Sequence, residues 1–535
     1  MATDDRAGRL TRPDEGVDRS NGTVLLAGAI AAIVVSPVVW LVLQAVGQGP
    51  ARILGLLVGG STLRITVNSV LLTGLTTLGS VAIGVPLAVL TVQTDLPFRR
   101  FWTVVCALPL VVPSYIGAFA FVSAFGPRGL LTEFVPTGAT VYGLGGTVLV
   151  LTLFVYPYVF LTTRAALLSF DTTLLEAART LDHSYLAAFR RVALPRILPG
   201  VTAGALLVAL YALSDFGTPA IMHYDVFTRL IYVYYATPGS EGAAVVLSLQ
   251  LLVITGFVLA LESRIGAASE EKGYASSGRS DAATIELGWW KLPATLFPAS
   301  IAVLCLVVPV GVLALWILRG GPGYTAGGFA FEWSYGINTV VVSLVAALAT
   351  TLVAIPIALS SARTETALSR LTERATYFGY ATPGVVLGLA LVVFGSNYAP
   401  ALYQTLPLLV FAYVVRFLPQ AVGTTRSSVL QVDETLVEAA RTLGVSQLAA
   451  FRRVTLPLIA PGVIAGAALV FLTSMRELPA TLLLHPTGFT TLVTYVWRVT
   501  DAGYYGAAAV PALALIGVSG LSMLVILSQE GDDGG

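Results

Sequence analysis

The chain has 535 residues, of which 56% are hydrophobic and only 11% are charged. Soluble domains carry about 25% charged residues, so the composition argues against a soluble enzyme and a disordered protein. The net charge of +1 shows no bias toward nucleic acid or another polyanion. With a mean hydropathy of +0.83, the class that remains is a polytopic membrane protein, folded in a lipid bilayer.

Residues 1–22 precede the first apolar run and mix acidic residues with arginines. They lack the character of a signal peptide, and the apolar run that follows is too long for a cleaved one. We expect residues 1–22 to form a cytoplasmic tail.

A helix needs about 20 apolar residues to cross the hydrocarbon core of a bilayer. Twelve stretches are long enough, and the alternating strands of a membrane barrel are absent from the pattern. The fold class predicted is therefore an all-α polytopic membrane protein with about 12 transmembrane helices. The predicted spans are 23–46, 66–92, 101–125, 143–163, 201–222, 243–261, 292–318, 338–360, 376–396, 404–424, 463–484 and 508–528.

The chain contains an internal duplication. Residues 174–208 read LLEAARTLDHSYLAAFRRVALPRILPGVTAGALLV, and residues 436–470 read LVEAARTLGVSQLAAFRRVTLPLIAPGVIAGAALV. Six spans in each half give both halves the same orientation, as two parallel six-helix repeats. The predicted division is a tail (1–22), a first half (23–261), a cytoplasmic linker (262–291), a second half (292–528) and a C-terminal tail (529–535).

Lysines and arginines set the orientation of such a protein. If the N-terminus is cytoplasmic, the inside segments hold most of the basic residues and the outside segments few. We therefore predict that the N- and C-termini are both cytoplasmic, with the duplicated loop on the same side.

The duplicated loop has the pattern of a helical hairpin. Thr173-x-x-Glu176 and Thr435-x-x-Glu438 match capping boxes that begin a short helix. Gly444 suits the left-handed turn that ends the second copy, and Asp182 takes its place in the first. Ser446 is the expected cap of the next helix, which we expect Leu456-Pro457 to end. Such a hairpin either lies on the lipid surface or, as we prefer, docks a soluble cytoplasmic partner.

These residues resemble the EAA loop of the membrane permeases of ATP-binding-cassette (ABC) importers. The family pattern is Glu-Ala-Ala, a glycine, and later a Leu-Pro pair. The matching positions are Glu176, Ala177, Ala178 and Asp182 in the first copy, and Glu438, Ala439, Ala440 and Gly444 in the second. Asp182 departs from the family glycine.

The resemblance implies that the loops dock a cytoplasmic ABC ATPase homodimer and that an extracytoplasmic substrate-binding protein delivers cargo. It also implies a multi-pass protein of the prokaryotic cell membrane, with no catalytic residue and no cofactor of its own. The sequence itself also argues against ATP hydrolysis by this chain, because a phosphate-binding loop requires Gly-Lys-Ser/Thr. The two lysines, Lys272 and Lys291, are followed by Gly273 and Leu292, so ATP hydrolysis is expected in a partner subunit.

The cargo is less closely defined by the residues. The run Met475–Leu484 and the sequence around His485 are similar to those of ferric-iron permeases. Permeases for thiamine, polyamines or other small solutes share the architecture. An ion-coupled secondary transporter is the alternative from another class, since two parallel six-helix halves also fit it.

Charged side chains within membrane spans are costly and are commonly functional. Four such residues occur here, namely Asp215, Arg416, Arg476 and Glu477. Asp215 and Glu477 align across the duplication and form a candidate pathway for a cation. The alternative is that Glu477 pairs with Arg476 or Arg416 and only braces the helices.

Other metal-ligating residues are sparse. His223 and His485 align across the duplication, which we interpret as duplication of a loop residue, the alternative being a metal-handling pair. Cys106 and Cys305 lie in separate apolar runs. We therefore predict no metal site.

Overall fold

The structure is a computed structural model that describes residues 17–127, 129–131, 140–169, 191, 194–273, 285–319, 330–363 and 366–532. Within these ranges the chain forms helices and loops, and the one β contact is an isolated bridge between Thr94 and Ile285. The predicted all-α fold class is confirmed.

Ten α-helices are described before residue 285. They are α1 (Val17–Val46), α2 (Pro50–Val58), α3 (Gly60–Gln93), α4 (Arg99–Ala107), α5 (Ser114–Phe125), α6 (Leu144–Leu168), α7 (Leu194–Ser214), α8 (Gly217–Ile221), α9 (Phe227–Ala236) and α10 (Glu241–Gly273). A 3₁₀ turn, Leu108–Val111, continues α4.

The remaining described helices belong to the second repeat. They are α11 (Lys291–Ala302), α12 (Val308–Leu318), α13 (Trp333–Arg363), α14 (Ala367–Ala381), α15 (Gly384–Tyr398), α16 (Leu406–Leu430), α17 (Glu434–Thr442), α18 (Gln447–Ala450), α19 (Leu456–Met475), α20 (Pro479–Leu484), α21 (Leu492–Asp501) and α22 (Tyr505–Asp532). A 3₁₀ turn, Gly288–Trp290, precedes α11, and π-helical stretches join α11 to α12 and α18 to α19.

Each of the twelve predicted spans has a counterpart in the described chain. Nine helices are long and apolar enough to cross a membrane, two further segments pass the same test as bent pairs, and Tyr505–Gly520 is a shorter apolar helix. The predicted spans 101–125 and 376–396 are not straight, since they bend by 89° and 98°. Pro113 and Pro383 stand at the bends in an extended conformation. Proline lacks a backbone N–H and disfavours a helical residue before it, so one helix ends and another begins there.

Contacts divide the chain into two compact units. The smaller unit comprises Met1–Pro37, Leu344–Tyr380 and Tyr413–Ser474, and the larger comprises Val38–Ser343, Ala381–Ala412 and Met475–Gly535. Each unit takes segments from both repeats. Within the larger unit, for example, the Trp40 ring of α1 packs against Phe394 and Tyr398 of α15, with centroids 5.1 and 4.6 Å away.

The core of the larger unit surrounds α5. Every residue of this helix from Ser114 to Ala124 is buried. Gly117 permits its close approach to α6, because a Cβ there would overlap the Phe154 ring. A helix buried on all sides can position polar groups away from lipid.

Small residues join corresponding helices in both repeats. In the larger unit, a Cβ on Gly204 of α7 would lie 2.7 Å from the Cα of Val159 in α6. In the smaller unit, a Cβ on Gly466 of α19 would lie 3.2 Å from the Cα of Ala421 in α16. With Gly200 and Gly462 these residues form a Gly-x-x-x-Gly pair in each repeat, the pattern that lets membrane helices approach closely.

The described parts of the predicted linker 262–291 lie at its two ends. Helix α10 continues to Gly273, and residues 285–287 attach to the loop after α3. There Asp95 accepts a hydrogen bond from the backbone N–H of Leu287 at 2.8 Å and pairs with Lys291 Nζ at 2.8 Å. These partners hold the pKa of Asp95 below its usual value, with the Lys291 hydrogen bond the largest cause.

Candidate functional sites

The second copy of the duplicated loop forms the predicted hairpin, but its first cap differs. Asp433, not Thr435, is the N-cap of α17, and its Oδ1 accepts the backbone N–H of Thr435 at 2.9 Å. The predicted capping box at Thr435 and Glu438 is therefore wrong. Aspartate is as good a cap as threonine, and starting two residues earlier adds hydrogen-bonded length to the helix. The same backbone N–H lowers the pKa of Asp433.

The turn after α17 is as predicted. Gly444 has φ +82°, in the left-handed region that glycine adopts without penalty. Its N–H donates to Arg441 O at 3.0 Å, and the Val445 N–H donates to Ala440 O at 3.2 Å. These two bonds are those of a Schellman motif. Ser446 then caps α18, as predicted, by accepting the Ala449 N–H at 3.4 Å.

The second helix of the hairpin does not end at Leu456-Pro457. The chain is apolar and helical from Gln447 to Met475, so that prediction is wrong. The π-helical stretch Phe451–Thr455 is followed by Leu456 and then by Pro457. Its wider hydrogen-bond spacing accommodates the missing N–H of proline without breaking the helix. The hairpin is thus continuous with a membrane helix.

The surface of this loop combines an acid, small residues and exposed leucines. Glu438 and Ala439 are exposed. Leu443 and Leu448 are 84% and 68% exposed. Single exposed leucines are ordinary, but exposed leucines together with an exposed acid on one short hairpin are typical of a docking surface.

The first copy of the loop lies outside the described residues. That applies to Glu176, Ala177, Ala178 and Asp182, and to the predicted cap Thr173. Their predicted role in coupling stays a prediction.

Asp215 lies in a break between helices and not inside a continuous span. The predicted span 201–222 is interrupted because α7 ends at Ser214 and the short α8 begins at Gly217. Asp215 Oδ1 accepts a hydrogen bond from Ser114 Oγ at 2.7 Å, and Oδ2 accepts the Thr218 N–H at 3.0 Å. The Thr228 hydroxyl donates to the Asp215 carbonyl at 2.7 Å. The carboxylate caps α8 and ties it to α5.

Glu477 occupies the corresponding break in the second repeat. The predicted span 463–484 is interrupted because α19 ends at Met475 and α20 begins at Pro479. Glu477 is buried, its Oε1 accepts the Ala480 N–H at 3.3 Å, and its carbonyl accepts the Thr481 hydroxyl. Ser114, which binds Asp215, and Leu110, which binds Arg476 beside Glu477, lie on the same short segment of the chain. The structure thus brings Asp215 and Glu477 into one region.

The two predicted arginines are placed differently. Arg476 donates from Nη1 to the Leu110 carbonyl at 2.8 Å, in the 3₁₀ turn just before Pro113. Residues 110–114 therefore hold both breaks, through Arg476 and through the Ser114–Asp215 bond. Arg416 belongs to the smaller unit, where its guanidinium lies 5.9 Å from the centre of the Phe417 ring.

The aligned histidines have unequal surroundings. His223 is exposed, has φ +53° and stacks on Tyr142, with centroids 4.9 Å apart and planes within 6°. His485 has φ −61°, and its Nδ1 lies 3.2 Å from the Pro486 carbonyl. Among the described residues, no three or more His, Cys, Asp or Glu side chains are grouped closely enough to hold a metal ion.

Several residues at the breaks were not foreseen from the sequence. Ser114 and Thr228 are hydroxyl residues in apolar surroundings, and nothing in their local pattern marks them as partners of Asp215. The glycine pairs Gly200/Gly204 and Gly462/Gly466 recur in both copies of the duplication, so comparing the copies for small residues would have found them.

Apolar helices in two repeats, interrupted at matching charged positions, define a multi-pass helical membrane protein with a transport-type architecture. Residues 80–266 and 354–530 match the family described as binding-protein-dependent transport system inner membrane component. The two matches cover more than half of the chain, which therefore belongs to this family of transport permease subunits.

Individual relatives are similar over most of the chain. A Fe(3+)-transport system permease protein of Haemophilus influenzae is 31% identical over 92% of this chain and 94% of its own length. A ferric transport system permease protein of Actinobacillus pleuropneumoniae is 24% identical over 86% of this chain and 70% of its own. A probable molybdenum ABC transporter permease protein of Haloferax volcanii is 31% identical over 44% of this chain and 87% of its own length. That relative corresponds in extent to one repeat.

Proposed function

We propose that this chain is the membrane-spanning subunit of a binding-protein-dependent ABC importer for ferric iron and supplies both membrane halves in one polypeptide. Cytoplasmic hairpins around Glu176 and Glu438 dock an ABC ATPase homodimer, and a substrate-binding protein delivers cargo from outside. The observation that carries this proposal is the hairpin α17–α18, with exposed Glu438 beside exposed leucines and a continuous helical link into the membrane.

The link from hairpin to membrane gives the hairpin a mechanical role. Because α18, the π-helical stretch and α19 form one continuous helix, a movement imposed on the hairpin is carried along a rigid element. That helix ends at Met475, next to Arg476 and Glu477. ATP-driven closure of the ATPase would thereby reach the second break.

The proposed topology places the N- and C-termini in the cytoplasm. The repeats are 23–261 and 292–528, separated by the linker 262–291 and flanked by tails at 1–22 and 529–535. The excess of basic residues in the segments on the hairpin side supports this orientation. Because Cys106 and Cys305 are both buried, a cysteine added at either terminus can be labelled selectively to test it.

The proposed pathway runs past Asp215 and Glu477, and Arg476 and Arg416 stay predicted members of it. Carboxylate oxygens suit a hard cation, and both carboxylates lie where the helix backbone is interrupted. We expect Asp215→Asn and Glu477→Gln to lower uptake while the ATPase still co-purifies. Normal uptake in both variants would leave the carboxylates as braces of the helices only.

Coupling is tested by reversing the charge at Glu438. With ATPase and binding protein in proteoliposomes, Glu438→Lys should reduce ATP-dependent uptake of radioactive ferric iron to near background, because an acid on the docking surface becomes a base. Gln431→Lys introduces the same side chain at an exposed, uncharged residue just before α17 and should transport normally. Normal uptake by Glu438→Lys would refute the docking role.

Cargo and energy source need separate measurements. If thiamine, a polyamine or molybdate is taken up and ferric iron is not, the chain belongs to an importer of the same kind for another solute. Uptake that ignores ATP depletion and follows a proton gradient would instead indicate an ion-coupled secondary transporter.

A further inference from the structure

A cavity of about 280 Å³ lies within the larger unit. Its described lining comes from the end of α5, the α8–α9 connection and the turn between α21 and α22. All three regions lie at the predicted outer side of the protein.

The donor groups of the cavity are suited to a cation. Asp501 contributes a carboxylate, Tyr142 and Tyr505 contribute phenol oxygens, and His223 contributes an imidazole. No lysine or arginine is among the described lining residues. Oxygen-rich sites with a net negative charge favour hard cations, and imidazole also binds iron.

His223 is held at the cavity in an uncommon conformation. Few non-glycine residues adopt a positive φ, and such strain persists only where the surroundings impose it. The connection around His223 is fixed by hydrogen bonds from Gly143 N to Met222 O at 2.8 Å and from Tyr224 N to Pro219 O at 2.9 Å. His485, the aligned residue, has an ordinary φ. The strain is thus not a general consequence of the duplication.

An aromatic cluster connects the cavity wall to the first break. Trp497 lines the cavity, and its ring contacts Phe216 at 5.1 Å and Tyr232 at 6.2 Å between centroids. Phe216 also contacts Tyr232 at 5.1 Å and follows Asp215 directly in the chain. Tyr232 is the sixth residue of α9, and Trp497 is the sixth residue of α21. Corresponding positions of the two repeats therefore meet here.

We propose that this cavity is a receiving site for a hard multivalent cation on the outer face, closed from the Asp215 break by the aromatic cluster of Phe216, Tyr232 and Trp497. The cation rests against Asp501, His223 and the tyrosine oxygens, and passes inward when the rings separate. The inference rests on the proposed import of ferric iron, for which it names the first site in this chain.

The test is terbium(III) binding to the purified full chain in lipid nanodiscs, without binding protein or ATPase. Terbium(III) is a hard trivalent cation whose luminescence is sensitised by nearby tryptophan. Asp501→Asn and His223→Asn should each weaken binding at least about tenfold. Asparagine tolerates positive φ, so His223→Asn removes the imidazole while keeping the loop. Trp497→Phe should reduce the sensitised luminescence, because Trp497 lines the cavity.

His485→Asn is the matched control and should bind terbium(III) as the wild type does. Elution as a monodisperse peak and retention of the ATPase show that each variant is folded. Equal terbium(III) affinity in all variants would overturn the receiving site, and ATP-driven ferric uptake by the wild type would still stand. Loss of binding in the two cavity variants, in a protein that imports no ferric iron, would support the cation site and reject only the proposed cargo.

Discussion

The two helix breaks, at Asp215 and at Glu477, have the same backbone capping. They differ in the side-chain hydrogen bonds that attach them to neighbouring segments. In each, a helix carrying a Gly-x-x-x-Gly pair ends one or two residues before an acidic residue, and that residue's carboxylate accepts the N–H three residues later. In the first copy a hydroxyl from α5, Ser114, binds the carboxylate. In the second copy the position before the carboxylate is Arg476, where the first has Ser214, and its guanidinium binds Leu110.

The difference shows how a duplicated chain becomes asymmetric. Backbone packing and capping were kept in both copies, because they form the break itself. The side chains that attach each break to its surroundings diverged, and both attachments reach residues 110–114 of the first repeat. A movement of that bent segment would therefore act on both breaks together.

The largest expected effect tests what the copies share. Gly204→Val and Gly466→Val each place a branched side chain against a neighbouring helix, with a Cβ 2.7 and 3.2 Å from backbone atoms. Overpacking of this kind costs about 1–3 kcal/mol or more. We expect a large loss of folded protein for both variants, measured by size-exclusion chromatography with a fluorescent tag. Gly256→Val, at a glycine with no neighbour within 4 Å, is the control. Folding of one variant but not the other would show that the copies pack differently.

The next effect tests the hydrogen bond from Arg476 to Leu110, which attaches the second break. Arg476→Ala removes a charged donor from Leu110, a bond of a kind worth about 1.5–3 kcal/mol. Thermal stability in detergent and iron uptake should both fall. Ser214→Ala, at the aligned position of the first copy, should change stability by less than about 0.5 kcal/mol. Equal effects of the two variants would contradict the asymmetry.

A smaller effect tests the hydrogen bond between Ser114 and Asp215, which attaches the first break. Ser114→Ala removes the hydroxyl that donates to Asp215 at 2.7 Å and should cost about 1–2 kcal/mol in thermal stability. Ser123→Ala is matched, because it lies buried on the same helix and its hydroxyl bonds only a carbonyl of that helix, Ala120. If Ser114→Ala lowers the thermal stability no more than Ser123→Ala does, the bond between Ser114 and Asp215 does not hold the break in place.

The smallest effect concerns residues 285–287 of the linker, which are attached to the first repeat at Asp95. Because the pKa of Asp95 is lowered in the folded chain, its contribution is present above its unfolded pKa of about 3.8. That contribution is lost as the pH falls through the lower folded value. Hydrogen exchange at Leu287, corrected for its intrinsic pH dependence, should quicken over that acidic range. Asp95→Asn should exchange faster at neutral pH and lose this transition. An unchanged transition in Asp95→Asn would assign the attachment to other groups.

Local features were well predicted from the sequence. The spans follow from hydropathy, and Gly444 and Ser446 follow from the backbone conformations that their positions require. Competition between two good caps, Asp433 and Thr435, decided the start of α17, and the sequence pattern favoured the wrong one. The early ends of α7 and α19 were missed because apolar residues continue beyond each break.

The amino-acid sequence by itself determined that the chain is an all-helical, duplicated membrane protein, and it identified Asp215, Arg476 and Glu477 as unusual. Composition, periodicity and internal similarity are properties of residues near one another in the chain or aligned across its two halves. Only the tertiary structure decided what those charges contact. Ser114 lies 101 residues from Asp215, and Leu110 lies 366 residues from Arg476. Such pairings depend on how the helices pack, because no local pattern records which hydroxyl or carbonyl will face a buried charge.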